Sequence, residues 1–418
     1  MNFQSPHADV PATKGVRYVE YNEELDMRRM RAYRLGRVCE QLREHDCAAC
    51  ILFNPINIRY ATGTRRSAIF TAHSPARYAI ISAGGRVVLF DYHNVSHIYR
   101  DIETIAEYRP SKSWYFFGAG PRYDERAKQW AAEVADIIHS MGGAKAKIAA
   151  DRLDSIGTAA LGAYGFTIAN GQELLEYARS IKSIDELTCM SRSIAVCETG
   201  MARMHEALVP GITENQLWAK LHETNIASGG EWIETRLLSS GPRTNPWYQE
   251  SSDRVIRAGD LVGFDTDLVG PYGYLADISR TFICGGRRPT SEQRRLYQLA
   301  YEQLEHNLHL LHPGLEFREY AEKSWRIPEE FYPNRYVCLV HGAGMVDEYP
   351  VVSFPGEFAG TGYDGTFEEN MVICVESYIG EQGGAEGVKL EEQVLITKSE
   401  VARLSSFPFE DTLMDVAI

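Results

Sequence analysis

The chain has 418 residues and a formal net charge of −14, from 43 basic and 57 acidic side chains. That length exceeds one ordinary hydrophobic core and implies two domains or one large two-layer unit. With 44% hydrophobic and 24% charged residues it reads as a soluble globular protein, and the acidic balance disfavours nucleic acid and anionic membranes as partners. No apolar run approaches the roughly 20 residues needed to cross a bilayer. The N-terminal stretch lacks the basic-then-apolar pattern of a secretory signal. Eight cysteines lie scattered, mostly in apolar runs, and read as reduced thiols in a cytoplasmic protein.

In chain order, residues 1–25 read as an irregular leader and 26–45, rich in Arg and Glu, as an exposed helix. CAACILF reads as a buried strand. Its Cys47-Ala-Ala-Cys50 spacing matches redox and zinc pairs, but a single pair inside an apolar run is better read as core. RYAIISAGGRVVLFDY reads as a β-hairpin turning at Ala83-Gly84-Gly85. Trp130, Val134, Ile137, Ile138 and Met141 recur at three or four, which predicts an amphipathic helix from Glu125 to Met141, stopped by Gly142-Gly143. A short strand, KIAAD, follows. These elements predict an α/β domain over residues 1–175.

A second domain is predicted over residues 176–418. Ser183-Ile-Asp-Glu186 has the pattern of a capping box, whose side chains satisfy the first free amides of a helix; that helix runs to Leu208 and ends at Pro210-Gly211. Thr213-Glu-Asn-Gln216 starts another. Strands follow in LLSSG, DLVGFDTD, GYLAD and SRTFIC, then a long helix from Ser291 to His312, then strands in MVICVESYI and VKLEEQVLIT. Helices first and strands later predict an α+β domain around a mixed sheet.

Oxygen and nitrogen ligands gather in this second half. Asp265 and Asp267 are two apart, and on a strand such residues share a face. Asp277 follows the Tyr272-Gly-Tyr274 turn, where a second strand can return beside the first. His341 sits in His-Gly-Ala-Gly344, whose glycines permit close backbone approach. Glu376 and Glu391 interrupt apolar strands, which is costly without compensation. Five carboxylates and one imidazole, with no Lys or Arg expected nearby, point to two divalent cations. Such ligands accept iron, manganese, zinc or cobalt.

The order Asp, Asp, His, Glu, Glu resembles the pita-bread metallopeptidase superfamily of methionine aminopeptidases, prolidases, aminopeptidases P and creatinases. Ala258-Gly-Asp260, Gly273-Tyr274-x-x-Asp277 with Ser279-Arg-Thr-Phe282, and Gly387-Val-Lys-Leu-Glu391 match as well. Asn54-Pro-Ile-Asn-Ile-Arg-Tyr60-Ala-Thr-Gly63 resembles the signature of the creatinase and prolidase branch. The resemblance implies a creatinase-like N-terminal α/β domain, a C-terminal pita-bread domain and a homodimer.

The pattern departs from the peptidases at three places. Their first two aspartates lie eleven apart; eleven before Asp277 stands Thr266, with Asp265 and Asp267 on either side. Either one takes the role or both bind; the shared strand face favours both. A substrate-binding His normally follows Pro before the first ligand strand; here the step is Pro246-Trp247. Another normally follows the metal His; here Asp347 stands in its place, and no histidine follows residue 341. An ionised carboxylate there repels a tetrahedral oxyanion but suits abstraction of a proton from carbon. Within the superfamily this resembles the metal-dependent dimethylsulfoniopropionate lyases of marine bacteria, which form dimethyl sulfide and acrylate. That resemblance implies Asp265, Asp267, Asp277, His341, Glu376 and Glu391 as ligands of two ions, iron first, with His341 also facing the substrate. It implies Asp347 as general base. A sulfonium cation favours aromatic faces, for which Trp247 and Tyr336 are the first candidates and Tyr248 the third. Arg243 could hold a carboxylate, although a lone loop arginine is more often solvated. The alternative function is an Xaa-Pro metallopeptidase.

Overall fold

The computed structural model describes residues 25–142 and 147–414. They form two compact units, Asp26–Arg179 and the chain from Ser180 onward. The leader, up to residue 24, and Gly143 lie outside the described residues.

In the first unit, helix α1 (Met27–Glu44) starts on Asp26, whose carboxylate accepts from the amides of Arg28 and Arg29. It is not the exposed helix the charges suggested: Met30, Val38 and Leu42 are buried, with Arg31 and Arg34 beside them. Strands β1 (Ala49–Leu52), β2 (Tyr78–Ser82), β3 (Val87–Asp91), β4 (Glu107–Pro110), β5 (Lys147–Ala150) and β6 (Thr167–Asn170) form one sheet in the order β4-β3-β2-β1-β5-β6. The β2–β3 hairpin is antiparallel, and β5 and β6 join β1 in parallel. Helix α2 (Pro55–Thr62) was not predicted. Asn54 caps it, Pro55 fills its first turn, and Gly63, at φ 75°, ends it in the left-handed region. The Asp151 carboxylate accepts from Phe53 N (2.7 Å), Asn54 N (3.1 Å) and Asn57 Nδ2 (3.0 Å), and Arg179 donates to Asn57 Oδ1. The Asn54–Gly63 signature is thus an anchored turn of this unit. Helix α3 (Tyr123–Ser140) lays Trp130, Val134, Ile137 and Ile138 on the core. Cys47 and Cys50 are buried thiols, pushed upward in pKa by burial, as the core reading of that pair anticipated.

In the second unit, α4 (Ile184–Ala207), α5 (Glu214–Ala227) and α6 (Ser291–Leu310) each begin in a capping box, on Ser183, Thr213 and Thr290. Two three-stranded sheets hold β7 (Trp232–Ile233), β8 (Leu238–Ser240), β9 (Leu261–Phe264), β10 (Leu268–Val269), β11 (Leu275–Ala276) and β12 (Arg280–Ile283), in the orders β11-β10-β7 and β12-β9-β8. A five-stranded sheet holds β13 (Val340–Ala343), β14 (Asp347–Val352), β15 (Val372–Gly380), β16 (Gly387–Ile396) and β17 (Val401–Arg403), in the order β14-β13-β15-β16-β17. All described pairings here are antiparallel rather than mixed. Short returns such as β13–β14 and β15–β16 replace the crossovers that parallel pairing requires.

Strands β15 and β16 are buried along their whole length, and alternation sorts their side chains. Ile373, Val375, Ile379, Val388, Leu390 and Val394 join Leu296, Tyr297, Ala300 and Leu304 of α6 in one core. The Ser377 hydroxyl donates to Ala300 O at 2.8 Å, which fixes this face against the helix. The opposite face carries Cys374, Glu376 and Tyr378 on β15 and Lys389, Glu391 and Gln393 on β16. None of the described helices is long and apolar enough to span a membrane.

Replacing Ser183 by Ala removes the oxygen that accepts from Glu186 N. It should cost about 1 kcal/mol, read as a lower urea midpoint for this unit with an unchanged slope.

Candidate metal centre

Register brings the ligands together. His341 of β13 pairs with Cys374, Glu376 with Glu391, Cys374 with Gln393 and Tyr378 with Lys389. Directly opposed residues share a face, so imidazole, thiol, ammonium and two carboxylates project into one space. A Cβ on Gly342 would strike the carbonyl oxygens of Glu348 and Tyr349. Only glycine therefore fits behind the imidazole at the β-bulge that follows His341.

The aspartates arrive by another route than a shared strand face. β9 ends at Phe264, and residues 265–267 are a kink in which Asp267 has φ 36°. Thr266, the residue eleven before Asp277, locks that kink. Its hydroxyl donates to Ala276 O (3.0 Å) and accepts from Ile278 N (2.9 Å). Asp265 and Asp267 flank it, and carboxylate oxygens of Asp265, Asp267 and Asp277 lie within 4.8 Å of one another. Thr235 donates to Asp267 Oδ2, and Asp267 N to Asp277 Oδ1 at 3.2 Å.

His341 Nδ1 lies 3.1 Å from Gly342 O, and a carbonyl only accepts, so in the neutral ring Nδ1 carries the proton. Nε2 then presents its lone pair to Glu376 Oε1 (3.3 Å), Asp277 Oδ2 (3.7 Å) and Glu391 Oε1 (3.7 Å). Glu376 Oε1 and Glu391 Oε1 are buried without a hydrogen-bond partner. Bare carboxylate oxygens around an imidazole nitrogen are costly as they stand and suited to a cation.

The expectation of no nearby Lys or Arg is overturned. Lys389 Nζ lies 2.6 Å from Glu376 Oε2, 3.2 Å from Glu391 Oε2 and 3.3 Å from Asp265 Oδ2, fully buried. Five carboxylates and one ammonium leave four negative charges, which two divalent cations neutralise. The donor set therefore fits a pair of hard or borderline metal ions. Without them, burial and then mutual repulsion push Asp267, Asp277 and Glu391 well upward. Burial raises Asp265 too, but Lys389 together with hydrogen bonds such as that from Ser279 outweighs it and holds that carboxyl down.

Lys389, Ser279, Thr235 and Cys374 had no role in the sequence reading, although Ser279 and Lys389 stand inside motifs singled out there. Lys389 stands two before Glu391, and Cys374 two before Glu376. The same-face rule applied to those strands finds both.

Asp347 opens β14 at the rim. Its side chain is 59% exposed, with Oδ1 3.6 Å from His341 Nδ1. Trp247 is buried, its ring 5.9 Å from Tyr378, and Tyr336 stacks on Tyr248 at 5.4 Å. The Lys389 ammonium lies 4.6 Å from the Tyr336 ring and 6.0 Å from the Trp247 ring. The three aromatics therefore border the cluster. Arg243 is partly exposed but not free for a ligand: it pairs with Glu214 and donates to Ser252 Oγ and Glu250 O.

Residues 188–398 match Metallopeptidase family M24, and residues 34–179 match the Creatinase/Prolidase N-terminal domain. The chain belongs to metallopeptidase family M24. It is 40% identical to the dimethylsulfoniopropionate lyase DddP of Roseovarius nubinhibens, over 93% of this chain and 88% of that one. It is 36% identical to the protein of the same name from Roseobacter denitrificans, over 94% and 89%. Among solved structures, the Xaa-Pro dipeptidase from Bacillus anthracis superposes with a TM-score of 0.73 at 20% identity, covering 91% of this chain and 98% of that one. That likeness is one of fold.

Stripping the protein with a chelator should lower its melting temperature, and two equivalents of a divalent cation should restore it. Each site occupied at a hundred times its Kd contributes about 2.7 kcal/mol. Groups raised in the folded state lose stability as pH rises through their folded values. The gap in melting temperature between loaded and stripped protein should therefore widen from acid toward neutral pH.

Proposed function

We propose that this chain is a metal-dependent carbon–sulfur lyase that cleaves dimethylsulfoniopropionate to dimethyl sulfide and acrylate. The observation that carries this reading is the half-exposed Asp347 carboxylate beside the imidazole of a buried, metal-suited cluster. The 40% and 36% identical relatives bear the name of that lyase. The Xaa-Pro peptidase alternative lacks an imidazole after His341 to donate to a tetrahedral intermediate.

Asp265, Asp267, Asp277, His341, Glu376 and Glu391 would hold the two ions. When bound, the ions draw electron density from the substrate carboxylate and make the carbanion-like state beside it accessible. Asp347 takes the proton from the carbon next to that carboxylate. The C–H electron pair becomes the new C=C bond. The C–S bond breaks, and its pair leaves on sulfur as neutral dimethyl sulfide. Asp347 then returns the proton to water, for which its exposure suits it. In the metal-free cluster burial pushes the Asp347 carboxyl upward and Asp265 and Glu376 add to this, while His341 and Lys389 pull the other way. For the sulfonium the reading takes Trp247 and Tyr336 first, with Tyr248 stacked behind Tyr336; the Lys389 ammonium over the Tyr336 ring supports an affinity of this aromatic group for cations, at a face it now occupies.

The same reading takes iron as the metal, a homodimer as the assembled form and the cytoplasm as the location. Eight buried cysteines support the reducing compartment. Tyr115, Phe116 and Phe117, exposed on the first unit, support burial against a second copy.

Asp347→Asn should lower dimethyl sulfide release from dimethylsulfoniopropionate by about a hundredfold or more with metal stoichiometry unchanged; loss of metal instead would make Asp347 structural. Trp247→Ala should raise KM about tenfold, as a cation–π contact of 1–2 kcal/mol implies, with a smaller effect in Trp247→Phe. An unchanged KM would remove Trp247 from the substrate pocket.

A further inference from the structure

Lys389 is the one charged group inside the cluster that the proposed elimination does not use. Its three N–H groups reach Glu376 Oε2 (2.6 Å), Ser279 Oγ (2.6 Å) and Glu391 Oε2 (3.2 Å), with Asp265 Oδ2 at 3.3 Å. Ser279 has a single proton to donate, with Asp265 Oδ1 and Glu391 Oε2 both at 2.7 Å. Ammonium and hydroxyl together thus hold both oxygens of Asp265 and one side of each glutamate. The arrangement is directional. The oxygens left without a partner, Glu376 Oε1 and Glu391 Oε1, face His341 Nε2 at 3.3 and 3.7 Å, with Asp277 Oδ2 also at 3.7 Å. The rings of Tyr336 and Trp247 lie against the ammonium, and no part of the side chain reaches solvent.

We propose that Lys389 is a positioning residue of the metal centre: with Ser279 it engages both oxygens of Asp265 and one oxygen each of Glu376 and Glu391, and so turns the other oxygens of the two glutamates toward the cations. This deepens the metal-centre reading above and rests on it. Two physical effects oppose each other here. As a like charge, Lys389 repels divalent cations, and its removal would tighten their binding. As a donor it pre-orients their ligands, and its removal loosens binding. The three-carboxylate hydrogen bonding and the unpartnered inner oxygens favour the second effect.

The test is a titration of the full-length protein with cobalt(II) alone, against a competing chelator, for wild type, Lys389→Met, Lys389→Arg and Ser279→Ala. Lys389→Met should weaken the cobalt Kd by about 10–100-fold, Lys389→Arg should restore most of it, and Ser279→Ala should lose less. Lys389→Met combined with Ser279→Ala should bind no worse than Lys389→Met, because the two act as a unit. The visible cobalt spectrum should change in Lys389→Met and return in Lys389→Arg, a signature that a merely structural lysine would not move. Equal or tighter binding by Lys389→Met overturns the proposal. If Lys389→Met does not fold, judged by circular dichroism, an unchanged affinity and spectrum in Ser279→Ala overturns it. A wild type that binds no cobalt overturns the metal-centre reading itself. That failure is distinct, since no wild-type constant would then exist for comparison.

Discussion

The second unit is organised around the burial of five carboxylates on one face of a sheet whose other face is an apolar core. Asp265, Asp267, Asp277, Glu376 and Glu391 are all at most 6% exposed. Charges so removed from water are stable only with donors or cations around them. The neighbours supply donors: Ser279, Thr235, the amide of Asp267, and the ammonium of Lys389. The oxygens left over face inward, around His341 Nε2. The site is therefore a charge deficit held in place by the fold, and two divalent cations fit its size and sign.

Behind this face lies a layer that keeps the ligands still. Arg280 donates to the carbonyls of Ser279 (3.0 Å) and Glu391 (2.8 Å), pairs with the buried Glu392, and covers Phe409 at 4.3 Å. One guanidinium thus joins β12, β16 and the C-terminal segment. Gln393 accepts from Asp277 N at 3.0 Å and so holds the β11 return against β16. At the start of the unit, Lys182 and Glu348 form a fully buried pair at 2.5 Å, one residue beyond Asp347. A buried pair of that kind is costly to break. It fixes the strand that carries the rim carboxylate.

The fold and the chemistry separate cleanly in this molecule. Solved dipeptidases share the architecture at about one residue in five, and that says nothing of the reaction. What carries the proposed reaction is local: Trp247 and Asp347, at the positions where the sequence resemblance places peptidase histidines. An aromatic face and a rim carboxylate suit a cationic leaving group and a carbon acid; two imidazoles suit an amide. The metal platform serves either chemistry, because withdrawing charge from a carboxylate and polarising a carbonyl make the same demand on it.

Much of this was legible in the sequence. Capping boxes at Ser183 and Thr213, the hairpin at Ala83-Gly84-Gly85 and the helix bearing Trp130 follow from local rules, since side-chain caps, turns and 3.6-residue periodicity are short-range. So did the ligand types, because a carboxylate inside an apolar run is conspicuous wherever it sits. Tertiary structure decided the rest. Asp265 and Asp267 converge through a kink locked by Thr266, not through a shared strand face, because β9 stops at Phe264. Lys389 lies among the carboxylates because β15 and β16 pair with Tyr378 opposite it and Glu376 opposite Glu391. Register between distant strands is a long-range property set by packing. The sequence by itself determined which chemical groups are present; only the tertiary structure decided which of them are buried and which oxygen of each faces inward.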